Sequence, residues 1–195
     1  MNILVIKSSV FGDNGNSSSL VNSQLAALQA QHPDATVVVR DLSLDPIPHL
    51  DGERVGAFFT PADQRSDDQQ AVDAFSMVLI DELKTADHIV LGLPMYNFGI
   101  PSQLKSWIDH VARAGITFRY TENGPQGLLD DKPVTVLAAR GGLYAGTEND
   151  TVTPYIKLFF GFIGMTDVDF VYAEGLNMGD ETKEKAMDEA KAAIG

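Results

Sequence analysis

The segment Ser8-Ser-Val-Phe-Gly-Asp-Asn-Gly-Asn-Ser-Ser-Ser19 contains ten Ser, Gly, Asn or Asp residues among twelve and follows an apolar run at Ile3 to Ile6. Ser9, Gly15, Asn16 and Ser17 lie in this loop, and a helical pattern begins near Ser19. A helix start behind such a loop offers unpaired N–H groups and the positive end of a dipole, which together suit a phosphate without any lysine. The same residues also suit a mobile polar loop in which Ser17 to Ser19 cap the helix, so this segment alone leaves both readings open. The usual phosphate and dinucleotide fingerprints, GxxxxGK[ST] and GxGxxG, are absent, because Gly12 and Gly15 have the wrong spacing.

Two further loops carry chemistry. Leu93-Pro-Met-Tyr-Asn-Phe-Gly-Ile-Pro101 sets Met95, Tyr96, Asn97 and Phe98 between prolines. Aromatics on a short stiffened loop make a platform for a flat ligand, although Tyr96 and Phe98 could equally tuck into a core. In Ala139-Arg-Gly-Gly-Leu-Tyr-Ala-Gly146, Gly141 and Gly142 would let backbone N–H groups approach a ligand while Arg140 brings positive charge. An ordinary glycine turn has the same composition. His32, His49, His88 and His110 show no HExxH spacing, and GxSxG is missing, which disfavours a metal site and a serine hydrolase. With no cysteine, thiolate metal sites, CxxC redox pairs and cysteine nucleophiles are excluded, and redox chemistry has to come from a cofactor.

A chain of 195 residues with 44% hydrophobic content is long enough for one domain with a substantial core. Its 14 Lys and Arg against 27 Asp and Glu give a formal net charge of −13, which argues against nucleic acid and anionic membrane surfaces. The strand-like start MNILVIKSSV resembles neither a secretory signal nor a membrane span, so a soluble cytoplasmic protein is expected. Apolar runs at Ile3 to Ile6, Val37 to Val39, Ile89 to Leu93, Val134 to Ala139 and Val168 to Ala173 predict strands covered on both faces. Between them lie helical patterns: Leu20, Leu25 and Leu28; Val72, Phe75, Leu79 and Leu83; Leu104, Trp107, Ile108 and Val111; Val152, Ile156, Phe159, Phe160 and Ile163. Ser102 is the expected N-cap of the third and Gly115 its end. Ala186, Met187, Ala190 and Ile194 suggest a last helix. This alternation predicts an α/β fold over residues 1–195, a doubly wound five-stranded parallel sheet of order 2-1-3-4-5 with helices on both faces. Residues 42–66 and 116–131 are left as long connections, functional or merely solvated. In that strand order all three loops meet in the crevice where the chain reverses. A phosphate cradle, an aromatic shelf and a glycine edge suit flavin mononucleotide (FMN), with its anionic tail, planar tricycle and polar rim.

Across nearly its whole length the chain resembles the FMN-dependent NADH-azoreductases of the flavodoxin-like fold. The resemblance runs through LVIKSS, RDLSLDPIPHLDGERVGAF, PMYNFGIPSQLKSWIDHVARAGITFRYTENGPQGLL, ARGG and VTPYIKLFFGFIGMTDVDFVYAEG. It implies FMN contacts at Ser9, at Gly15, Asn16 and Ser17, at Met95, Tyr96, Asn97 and Phe98, and at Ala139, Arg140, Gly141 and Gly142. It also implies a homodimer in which the partner subunit completes the flavin pocket, with Tyr120 and Phe162 as substrate-side aromatics. Family members often have Ser in place of Gly15, and some have His in place of Tyr144. The implied activity is ping-pong: NADH reduces the flavin and leaves, and a quinone or azo compound then takes its place. Because the flavin carries the chemistry, no side chain is expected as an essential acid or base. An electron-carrier flavodoxin without a small-molecule substrate is the alternative, and a flavin-free NADP-binding regulator is a third. The aromatic segment at 116–131 favours an enclosed substrate pocket.

Overall fold

The computed structural model describes residues 1–194. The elements run β1 (Asn2–Lys7), α1 (Asn16–Gln31), β2 (Thr36–Asp41), α2 (Gly52–Phe59), α3 (Asp67–Thr85), β3 (His88–Pro94) and α4 (Ser102–Val111). There follow β4 (Phe118–Thr121), β5 (Gly124–Gly127), β6 (Val134–Ala139), α5 (Val152–Ile163), β7 (Val168–Ala173) and α6 (Asp180–Ala192). The main sheet has the order β2-β1-β3-β6-β7, with every pair parallel. Among its five strands this is the expected 2-1-3-4-5. Among the described residues, no helix is long and apolar enough to cross a membrane.

Side chains alternate across each strand, so β1 serves both layers at once. Leu4 and Ile6 join Leu79, Ile80 and Leu83 of α3, Trp107 of α4 and Phe160 of α5. Ile3 and Val5 join Leu20, Val21 and Leu28 of α1 and Ala190 of α6. Each such Val, Leu, Ile or Phe side chain, removed from water, contributes about 1.5–3 kcal/mol. Double coverage explains why the central strands read as unbroken apolar runs, while β2, at an edge, leaves Val38 and Val39 exposed. The register sets Lys7 opposite Gly92 and Pro94 opposite Ala139, with Ala139 also opposite Ala173. The carboxyl ends of these strands therefore deliver their loops to one crevice.

Several boundaries differ from expectation. Helix α1 starts at Asn16 with Gly15 as its cap, which puts Ser17 to Ser19 inside the first turn rather than at the cap. Helix α4 begins with Ser102 behind a Pro101 cap, and the Ser102 hydroxyl turns to Gln103 instead of capping. It ends at Val111 rather than at Gly115. There the Thr117 hydroxyl accepts from the Arg113 N–H (2.9 Å) and donates to the Val111 carbonyl (2.7 Å), replacing the next helical bonds. The connection at 42–66 contains α2, capped by Asp51, and the one at 116–131 folds into the antiparallel β4–β5 hairpin.

Half-buried ion pairs fasten α2 to α3 and α4. Asp73 accepts from Arg65 and from Arg113, each at 2.6 Å, and the Arg113 guanidinium lies 3.8 Å from the centre of the Phe58 ring. His110 is buried beside them, edge-on to Phe58 and Phe75. Its Nδ1 donates to the Ser106 carbonyl at 2.8 Å, and among the described residues its Nε2 has no partner. Burial holds the imidazole below its ordinary pKa, and Arg54 and Arg113 push the same way against the Ser106 bond and Asp109. An unfolded chain would therefore take up a proton at His110 before the folded one does, so stability falls as pH drops below about 6.5. We expect the unfolding midpoint to drop less between pH 7.5 and 5.5 in His110→Gln than in the wild type. His88, also held low by burial, retains its own share of the slope. Equal slopes in thermal melts would remove His110 from this account.

Candidate functional site

The crevice holds a cleft of about 170 Å³ lined by residues of four loops, among them Ser9, Ser17, Tyr96, Gly141 and Asn177. A larger apolar groove of about 320 Å³ lies at the opposite ends of the strands, against α3, and receives none of these loops.

At the first loop, Ser17 is 1% exposed and, among the described residues, its hydroxyl has no hydrogen-bond partner. Gly15 caps α1 without a side chain, and the N–H groups of a first helical turn have no intrahelical acceptor. Buried donors at a positive dipole end, left unpaired, fit an anionic group. A Cβ at Gly15 would lie 2.2 Å from the Ser9 hydroxyl and 2.6 Å from its Cβ, so a larger residue there requires Ser9 to shift. The cations nearby are already engaged. Lys7 pairs with Asp13 at 2.6 Å. Arg140, 1% exposed, turns inward to Asp150 (2.9 Å) and Glu174 (3.2 Å) and sits 4.9 Å from the Tyr172 ring centre. Its guanidinium thus stabilises carboxylates, leaving the residue to line the cleft with its backbone. Burial pushes the Asp150 carboxyl up, but the Thr153 N–H, Arg140 and the Thr153 hydroxyl outweigh this and hold it below its ordinary value.

The second loop is a tight turn in which Tyr96 and Gly99 exchange backbone hydrogen bonds, each 3.0 Å. Asn97 (φ 51°) and Phe98 (φ 61°) occupy the left-handed region, which costs non-glycine residues about 1–3 kcal/mol each and tends to persist at functional sites. The turn projects Phe98, 56% exposed, edge-on to Tyr144 at 5.6 Å, and the Thr151 hydroxyl donates to the Phe98 carbonyl. In the third loop, Glu174 accepts from the N–H groups of Tyr144 and Ala145, both at 2.9 Å. The Gly141 and Gly142 carbonyls accept from Asn177 and Gly175 at 3.0 Å, while among the described residues their own N–H groups serve no hydrogen bond. This is a glycine edge with free donors.

The structure brings together Ser9, Asn16, Ser17, Met95, Tyr96, Ala139, Arg140 and Gly141 around one cleft. Gly15, Asn97, Phe98 and Gly142 lie within the same loops without lining it. Tyr120 and Phe162 lie elsewhere. Phe118 joins them, 5.6 Å from Tyr120 and 4.2 Å from Phe162 between ring centres, and Tyr120 is 75% exposed. The fourth loop, with Leu176 and Asn177, and Phe11 of the first loop were not anticipated as lining residues. The expected strand order already required a fourth loop at this crevice, and Gly175-Leu-Asn-Met-Gly179 has the composition of one.

A family profile described as flavodoxin-like fold matches residues 1–195. The chain is 81% identical over 194 residues to an FMN-dependent NADH:quinone oxidoreductase of Alcanivorax borkumensis, covering 100% of this chain and 98% of that protein. It is 55% identical to a protein of the same name from Cellvibrio japonicus, covering 98% and 96%. The crystal structure of an FMN-dependent NADH-azoreductase from Bacillus anthracis in complex with FMN superimposes with a TM-score of 0.88. Identity to that structure is 27%, with 99% of this chain and 97% of that chain covered. The chain belongs to this flavodoxin-like family.

Proposed function

We infer that the protein is an FMN-dependent oxidoreductase that uses NADH to reduce quinones and azo compounds. The observation that carries this reading is the pairing, across one cleft, of an unpartnered buried Ser17 hydroxyl at the start of α1 with the free N–H group of Gly141, which Gly142 follows in the same loop. The relatives' names support the same activity. When bound, FMN supplies the two-electron hydride chemistry that the chain lacks.

Ser9, Asn16, Ser17 and the first turn of α1 would hold the phosphate. Met95, Tyr96, Asn97 and Phe98 would border the flat ring, and the Gly141 and Gly142 N–H groups would donate to its electron-rich edge, an arrangement that stabilises developing negative charge. Protons for the reduced product come from water, since the chain places no dedicated acid there. One crevice serves donor and acceptor in turn, so ping-pong kinetics are expected. In this reading Tyr120 and Phe162, remote from their own subunit's cleft, close the pocket of a second copy in a cytoplasmic homodimer. That use of the hairpin aromatics favours an enzyme over a bare electron carrier.

Purified protein reconstituted with FMN is expected to show a flavin absorption spectrum that bleaches on anaerobic addition of NADH and returns with a quinone. A preparation that takes up no flavin and oxidises no NADH would overturn this function. Ser17→Ala removes one neutral donor to a charged group, worth about 1.5–3 kcal/mol, and so should weaken FMN binding about ten-fold or more while leaving the unfolding midpoint nearly unchanged. Fluorescence titration measures the first and a thermal melt the second. Equal affinities would remove Ser17 from the site.

A further inference from the structure

Asn177 enters the cleft from the loop after β7. Its backbone is pinned, with the Asn177 N–H donating to the Gly141 carbonyl at 3.0 Å and the neighbouring Leu176 N–H to the Arg140 carbonyl at 3.1 Å. Its side-chain amide lies over Gly141, so near that a Cβ there would be 2.6 Å from Nδ2. Among the described residues, that amide takes part in no hydrogen bond. It is therefore an exposed polar group, free to donate, that lines the same cleft as Ser9, Asn16 and Ser17.

Charge gives this placement meaning. The two cations nearest the cleft, Lys7 and Arg140, are bound to Asp13 and to Asp150 and Glu174, and the whole chain carries a net charge of −13. A dianionic phosphate and its hydroxyl-bearing chain must then be held by neutral donors. Helix α1 supplies them on one side only.

We propose that Asn177 is a ligand-binding residue whose amide N–H donates to the polar tail, sugar-alcohol hydroxyls or phosphate, of the cofactor held in this cleft. This rests on the reading of the cleft as an FMN site. The amide offers two donors and an acceptor, which suits hydroxyls and phosphate oxygens alike. An aspartate at the same place would only accept, and would add negative charge facing the phosphate.

The test uses full-length apoprotein and flavin fluorescence quenching, with FMN, riboflavin and the tail-less lumiflavin as the three probes. Asn177→Leu keeps bulk over Gly141 without a donor and is expected to raise the FMN dissociation constant five- to twenty-fold. Asn177→Asp is expected to raise it further, above fifty-fold. Losses for FMN alone in Asn177→Leu would place the contact on the phosphate, and equal losses for FMN and riboflavin with none for lumiflavin would place it on the hydroxyls. An equal loss for lumiflavin, which lacks the tail, would move the contact to the ring and overturn the proposal. The melting temperature of the apo variants should stay within about 2 °C of the wild type, since no hydrogen bond of the folded chain is removed. Wild-type FMN affinity in Asn177→Leu would overturn this role. If the wild type itself bound no flavin, the reading of the cleft would fail instead.

Discussion

Arg140→Met is expected to lower the unfolding free energy by about 3–5 kcal/mol, the cost typical of removing one member of a buried ion pair. The side chain is 1% exposed and answers two carboxylates at once, Asp150 at 2.9 Å and Glu174 at 3.2 Å, besides donating to the Thr153 hydroxyl at 2.7 Å. Met replaces the volume and leaves both negative charges in place. Glu174 is also the acceptor that holds the N–H groups of Tyr144 and Ala145. Its loss of balance therefore reaches the loop that carries Gly141 and Gly142, and flavin affinity should fall with stability. The pH dependence identifies the cause. In the wild type Asp150 sits below its ordinary value, a contribution present at neutral pH and lost only in strong acid. Without the guanidinium, less opposes the burial that disfavours the ionised Asp150 carboxyl, so that group is neutralised more readily as pH falls. The deficit between variant and wild type should thus be larger at pH 8 than at pH 5 in urea denaturation. A deficit that does not change with pH would mean that packing, not charge, is what Arg140 supplies.

The role of this arginine also shows how far the chain could be read before its fold was known. Arg140 stands out beside two glycines, and a cation next to a proposed phosphate invites direct pairing. Its partners lie 10 and 34 residues further along, a distance that no local pattern spans. The five strands were legible because burial on both faces writes continuous apolar runs such as Ile89 to Leu93. Helix α2 was not, having only eight residues and following Pro46 and Pro48. The β5 strand, Gly-Pro-Gln-Gly, has none of the residues that favour strands and forms through its antiparallel pairing with β4 and its packing against α5. Three loops of the cleft announced themselves by composition. Asn177 did not, since one asparagine in a short loop acquires its place only through the pairing of that loop with Arg140, Gly141 and Gly142.

The docking of the hairpin predicts a change with the opposite signature, an effect on the acceptor with little effect on the flavin. A Cβ at Gly127 would lie 2.2 Å from the Gly164 nitrogen and 2.4 Å from its Cα. These are backbone atoms at the end of α5, where Gly164 (φ 114°) already accepts the left-handed turn that stops the helix. Neither side can yield by rotating a side chain, so Gly127→Ala must push the hairpin away from α5. The Leu129 N–H bond to the Ile163 carbonyl (3.0 Å) and the Phe118–Phe162 contact lie in its path. Overpacking of this kind costs about 1–3 kcal/mol. If Tyr120 and Phe162 serve the acceptor, KM for a quinone should rise at least ten-fold while the FMN dissociation constant stays within two-fold, because none of the cleft-lining residues moves with the hairpin. Gly161→Ala is the matched control. It sits three residues before Gly164 with nothing within 4 Å of its added Cβ, and in an exposed helical position it should leave KM alone and add a few tenths of a kcal/mol or more of stability. An unaltered quinone KM in Gly127→Ala, with the hairpin shown displaced by hydrogen exchange, would remove the aromatic row from the substrate site and leave it a purely structural seam.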